Sequence, residues 1–113
     1  MVSIRHTACY EQKIVQESID AHFVQLHLDE ILRPGMKVVI KPNLLMKRTP
    51  QEGTTAHPSL VEAVIRHLQE LGVTDITIAD SPGGVYSKPL LMGIYRATGM
   101  EDIARRLSVK LNE

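Results

Sequence analysis

A run of β-branched residues that stops at a proline, Val38-Val39-Ile40-Lys41-Pro42-Asn43, constrains this chain more than any other stretch. Continuous apolar β-branched residues suit a strand buried on both faces of a parallel sheet. Pro42 has no amide to give to a ladder, so the strand must end there. Lys41 and Asn43 are thereby presented at the strand's C-terminal end, the edge where open α/β sheets hold their ligands.

The rest of the chain alternates around this strand. Val2 to Thr7 alternates weakly and reads as a first strand. Glu11 to Leu32 turns helical, with Val15, Ile19, Phe23 and Leu26 in one stripe, and Pro34-Gly35 stops it. The second strand spans Lys37 to Lys41. Pro58 suits the first position of a helix running to Leu71, whose apolar face is Val61, Val64, Ile65, Leu68 and Leu71. Glu62 and Arg66 have the spacing of an ion pair on its solvated side, and Gly72 is a natural stop. Asp75 to Asp80 gives a third strand and Leu90 to Ala97 a short helix. Met100 to Leu107 gives another helix, for which Thr98 and Glu101 have capping-box spacing, while Gly99 equally suits the end of the helix before it. Val109 to Leu111 reads as a last strand.

The order β-α-β-α-β-α-α-β predicts an α/β fold: three-layer, Rossmann-like, with a mostly parallel sheet of about four strands joined by right-handed crossovers. One domain over residues 1–113 is expected, and because doubly wound sheets continue with further units, it reads as the N-terminal part of a longer domain. An unpaired sheet edge in such a part favours a homo-oligomer.

Composition narrows the partners. Thirteen basic residues balance 13 acidic ones, which argues against a general affinity for nucleic acid or anionic membrane. No apolar run approaches a membrane span and no signal-peptide pattern opens the chain, so the expected location is cytoplasmic. Aromatic residues are 4% and Trp is absent, so the core must be aliphatic. A single cysteine, Cys9, excludes an internal disulfide and an all-cysteine metal centre; ahead of a helix its thiol would be activated, yet a lone cysteine is more often a small buried apolar group. The other histidines, His6, His22, His27 and His67, show no ligand spacing and read as surface or boundary residues; no metal site is expected.

Parallel strands would gather polar residues along one edge. The first strand would bring Thr7, Cys9 and Tyr10, the second Lys41 and Asn43, and the third Asp80, Ser81, Gly83 and Gly84. The long connection from Leu45 to Ala56 and the helix entrance after it would add Thr54, Thr55 and His57. Lys41 suits a phosphate or carboxylate, or a base if desolvated; the plain alternative is a snorkelling lysine or a pair with Asp80. Asp80 with Ser81-Pro82-Gly83-Gly84 suits anion approach to glycine amides, or simply a tight turn. Thr54, Thr55 and His57 stand at a helix N-terminus that favours an anion, or only cap it. Met46, Lys47 and Arg48 make a small basic loop. Walker and dinucleotide fingerprints are absent.

Four ordered motifs carry a resemblance: Val39-Ile40-Lys41-Pro42-Asn43-Leu44, then Thr54-Thr55 with His57-Pro58, then Ala79-Asp80-Ser81-Pro82-Gly83-Gly84, then Tyr95-Arg96-Ala97-Thr98-Gly99-Met100. Together they resemble the bacterial and archaeal family catalogued as domain of unknown function 362, over essentially the whole chain. The resemblance implies a redox association, since many members are described as iron–sulfur proteins and carry a ferredoxin-like segment with Cys-x-x-Cys runs. This chain has no such run, so no cofactor is expected within it. The family supplies no settled catalytic residues. Two readings follow: a redox-associated α/β part with a small anionic ligand at the strand tips, or a non-redox enzyme module using Lys41, His57 and Asp80 as acid–base groups. A binding-only remnant is the third.

Overall fold

The computed structural model describes residues 1–44, 49–52, 56–80 and 87–112. Helix α1 spans Gln12–Gln25 and is followed by a 3-10 turn, Leu28–Glu30. Strand β1 is Lys37–Ile40, and a second 3-10 turn, Pro50–Glu52, interrupts the long connection. Then come α2 (Pro58–Glu70), β2 (Asp75–Ile78), α3 (Lys88–Ala97), α4 (Met100–Leu107) and β3 (Lys110–Leu111). The sheet is parallel throughout, in the order β1-β2-β3, with Lys37 opposite Asp75 and Thr77 opposite Lys110.

The α/β class is as the sequence predicts, with three strands where about four were expected. Val2 to Thr7 is not a strand. It runs along α1 instead, held by Ser3 Oγ against His22 Nδ1 at 2.7 Å and Thr7 Oγ1 against Ser18 Oγ at 2.8 Å. Its alternation rests on Val2 and Ile4 alone, and Ile4 is 89% exposed, so burial gives the segment little reason to join the sheet.

The sheet is also covered on one face rather than two. Val38, Ile40, Ile76, Ile78 and Leu111 face the helices, whereas Lys37, Val39, Thr77 and Lys110 face away, and Val39 is 65% exposed. Among the described residues the third layer is therefore missing. Topology explains this: right-handed crossovers between strands taken in the order 1-2-3 put every connecting helix on the same side.

Beneath that face lies one core built of Leu44, Ile65, Leu68, Ile76, Ile78, Leu91, Met100 and Ile103, with Tyr95 and Phe23 as its aromatic members. The predicted apolar face of α2 enters it, but Glu62 does not lie on a solvated side. It is buried between α2 and α4, where Arg66 reaches it at 2.9 Å and Arg106 at 2.6 Å. Burial pushes its carboxyl up, and the hydrogen bonds from Arg106 and Arg66 outweigh that, leaving it below the usual glutamate range. Thr98 does not cap α4 either. Its hydroxyl donates back to the Ile94 carbonyl at 2.7 Å, and Gly99, at φ 86°, ends α3 and admits Pro58 so closely that a Cβ would sit 3.2 Å from its ring.

Candidate functional site

The C-terminal ends of the three strands meet at Asp80, which is 5% exposed. Its Oδ2 accepts from the Leu44 amide, just beyond β1. Its own amide donates to Tyr95 Oη at 3.0 Å and to Asn112 Oδ1 at 3.4 Å, and its carbonyl accepts from Asn112 Nδ2 at 3.2 Å. The Tyr95 hydroxyl donates to Asn112 Oδ1, and the Asn112 amide donates to the Ile78 carbonyl at 3.1 Å. One residue thus ties together the segments after β1, β2 and β3, the Asp80 carboxylate holding Leu44 and the Asp80 backbone holding Asn112, because buried polar groups must find partners and the strand tips supply them.

Sequence reasoning put Asp80 at the edge and missed Tyr95 and Asn112. Tyr95 appears there only within a motif of the resemblance; the signal was its hydroxyl, since a buried tyrosine needs a partner for it.

Lys41 stands on the solvent side of this tie. Pro42 is buried and Asn43 takes the left-handed conformation at φ 57°, which turns the chain so that Leu44 enters the core. That turn brings the Asn43 side chain back to Lys41, whose Nζ donates to Asn43 Oδ1 at 2.9 Å, both groups being exposed. The lysine is held in place by an uncharged acceptor, and among the described residues its charge meets no carboxylate.

His57 is the N-cap of α2. Its Nδ1 accepts from the Ser59 amide at 3.2 Å and lies 2.9 Å from the Ser59 hydroxyl. An Nδ1 that accepts from a backbone amide is unprotonated, so the proton sits on Nε2. Burial lowers the pKa of the ring and so favours that neutral form. Tyr10 stacks on the ring, with centroids 4.0 Å apart and planes 7° from parallel.

Of the three residues expected from a first strand, only Tyr10 contacts a candidate residue among the described residues, by this stack on His57. Thr7 is spent on Ser18, and Cys9 is exposed rather than buried. Cys9 and Tyr10 line an open hollow of about 470 Å³ with Thr7, Val15 and Leu60. Thr54, Thr55, Ser81, Gly83 and Gly84 lie outside the described residues, as do Met46, Lys47 and Arg48.

His67, read from the sequence as a surface or boundary residue, is buried at the junction of three elements. Its Nδ1 lies 2.7 Å from Asp20 Oδ1 of α1 and its Nε2 lies 2.6 Å from Asp29 Oδ1 of the first 3-10 turn. Burial lowers its pKa, and the hydrogen bonds to Asp20 and Asp29 outweigh that, so the net shift is upward. Its position four residues after the buried Ala63, on the flank of the apolar stripe, was the available signal. The described residues contain no group of His, Cys, Asp and Glu suited to a metal ion, and one cysteine in the whole sequence is not a donor set for an iron–sulfur cluster.

Comparison with known proteins gives one match: the family model described as domain of unknown function, DUF362, covers residues 38–113. No curated protein and no solved structure matches the chain.

Proposed function

The chain belongs to the DUF362 family, and on that premise we propose that it is an α/β part that binds a small anion at the C-terminal ends of its strands. The ligand class is a phosphate or carboxylate. Lys41 supplies the charge, Asn43 positions it, and His57, the N-cap of the helix that follows β1, offers an Nε2–H donor. Thr54, Thr55, Ser81, Gly83 and Gly84, expected at this edge from the sequence, lie outside the described residues, and Asp80 shapes the strand tips from within. The observation that carries this reading is the exposed Lys41 Nζ, held at a strand tip by Asn43 while the buried carboxylate nearby is engaged with a backbone amide. An acid–base role for Asp80 is less favoured by that geometry, since its Oδ2 already accepts from Leu44. The redox association stays with the family resemblance: a cluster would have to be held by residues other than those of this chain.

Two-dimensional NMR titration with inorganic phosphate tests the proposal. Shifts should centre on Lys41, Asn43 and His57, and Lys41→Met should weaken binding about tenfold or more, as expected for loss of a charge-assisted contact. Equal binding by the variant would remove Lys41 from the site.

Among the described residues the outer edge of β1 is unpaired, which supports a second part of the proposal, a homo-oligomer. The Ile40 carbonyl accepts from Ala79, so Ile40 faces β2, and strand alternation turns the amide and carbonyl of Val39 outward. Two copies pairing antiparallel about Val39 would form an isologous contact in which Lys37 lies opposite the second copy's Lys41.

A further inference from the structure

The helices α1 and α2 run side by side in the same direction, and polar groups form much of the seam between them. Gln12 Nε2 donates to the Ser59 carbonyl at 3.1 Å, Gln16 Nε2 donates to the Ala63 carbonyl at 2.9 Å, and Asp20 meets His67. These contacts climb both helices in steps of four, one rung per turn. Of α1's apolar residues only Val15 and Phe23 are buried, and Gln16 Oε1 is enclosed without a partner. A seam of this kind holds its helix less firmly than the aliphatic core holds α2. The matched family stretch begins at residue 38, so the whole of α1 lies before it.

The two ends of the seam differ in what they do. At the leading end, Tyr10 lies on the His57 ring at the entrance of α2. At the trailing end, the His67 ring lies between two carboxylates and stacks on Phe23 with centroids 4.1 Å apart. A neutral imidazole has a single N–H and can satisfy one carboxylate only. The other would then face a ring lone pair at under 3 Å, acceptor against acceptor. Both contacts are favourable together only when the ring is an imidazolium.

We propose that residues 1–32 are a releasable strap across α2, its leading end covering His57 at the entrance of α2 and its trailing end locked by His67 clamped between Asp20 and Asp29. The covering role rests on the anion-site reading above; the release does not. The charged groups facing the ring are Asp20 from α1 and Asp29 from the 3-10 turn, while Arg66 and Glu70 of α2 border the hollow beside Asp20. On its other flank α2 meets α4, whose Arg106 is engaged with Glu62. Among the described residues no basic side chain competes with His67 for its two carboxylates, and the other donor to Asp20 Oδ1 is the neutral Gln16 amide at 2.9 Å. Loss of the ring proton as pH rises opens the lock.

Amide hydrogen exchange on the full chain tests this. Between about pH 6 and pH 9, after correction for intrinsic rates, the amides of α1 should lose roughly tenfold more protection than those of β2. His67→Gln should show low α1 protection already at the acid end, with little pH dependence, and Asp29→Asn should lie between it and the parent. If α1 and β2 lose protection together in the parent, or α1 does not respond to pH, the strap is overturned. Should His67→Gln not fold, Asp29→Asn and the parent profile still decide. Inorganic phosphate is the probe for covering: several-fold tighter binding to the released variant is expected. Equal binding to both would overturn the covering role, whereas no binding to either would sink the anion site and leave the release to be judged by exchange.

Discussion

Tyr95 shows how one atom decides the standing of a residue. Its ring fills the core, as a leucine would, but its hydroxyl accepts from the Asp80 amide and donates to Asn112. Replacing it with phenylalanine keeps the packing but removes the amide's shorter acceptor and the hydroxyl donor to Asn112, leaving the longer contact between the Asp80 amide and Asn112 Oδ1. Chemical denaturation of Tyr95→Phe should show a loss of about 0.5–1.5 kcal/mol, the net worth of a buried hydrogen bond. A change under about half a kcal/mol would mean that solvent replaces the hydroxyl. At this scale the sequence was only partly legible. Lys41 and Asn43 could be placed at the strand tip because Pro42 ends the strand. That Asp80 is engaged from three sides depends on Leu44, Tyr95 and Asn112, which are remote in sequence and carry no shared pattern.

Helices were easier to foresee than the surfaces they bury. The start of α2 at Pro58, its stop at Gly72 and its apolar stripe were all readable, because proline, glycine and the helical repeat act locally. Glu62 was not, since its burial depends on Arg106, which α4 brings from 44 residues away. The lowered pKa of Glu62 has a definite sign for stability. Its contribution is fully present above the unfolded value of 4.5 and is lost as pH falls through the lower folded value. His67 runs the other way: its contribution is full below 6.5 and is lost as pH rises through the higher folded value. Denaturation midpoints followed against pH should therefore fall at both ends. In Glu62→Gln the acid fall should be shallower, with a loss of roughly 1–2 kcal/mol at neutral pH because two arginines lose a charged partner and both are partly exposed. An unaltered acid limb would place the sensitivity in another carboxylate.

For the molecule as a whole, the class was legible and the layering was not. Alternating strands and helices are enough to predict a parallel sheet, but which face the helices take depends on strand order, and β1-β2-β3 could not be read from periodicity. The same uncertainty made Val2 to Thr7 read as a strand. Association through β1 has its own signature. Because Lys37 and Lys41 would face one another across the two-fold axis, it should strengthen as salt screens them, the reverse of an interface held by opposite charges. Size-exclusion chromatography across ionic strength, with Lys37→Glu as the variant, checks this: the variant should associate more readily at low salt. A parent monomer at every salt concentration would rule the contact out. Finally, the tie at Asp80 has a consequence for synthesis. It joins Leu44 to Asn112, residues separated by most of the matched stretch. On a ribosome the chain appears from its N-terminus, so α1, β1 and α2 can gather while the tie is still open. The strand tips would become a fixed shape only once Asn112 has emerged, and a nascent chain would carry Lys41 at the end of β1 long before Asp80 was tied down.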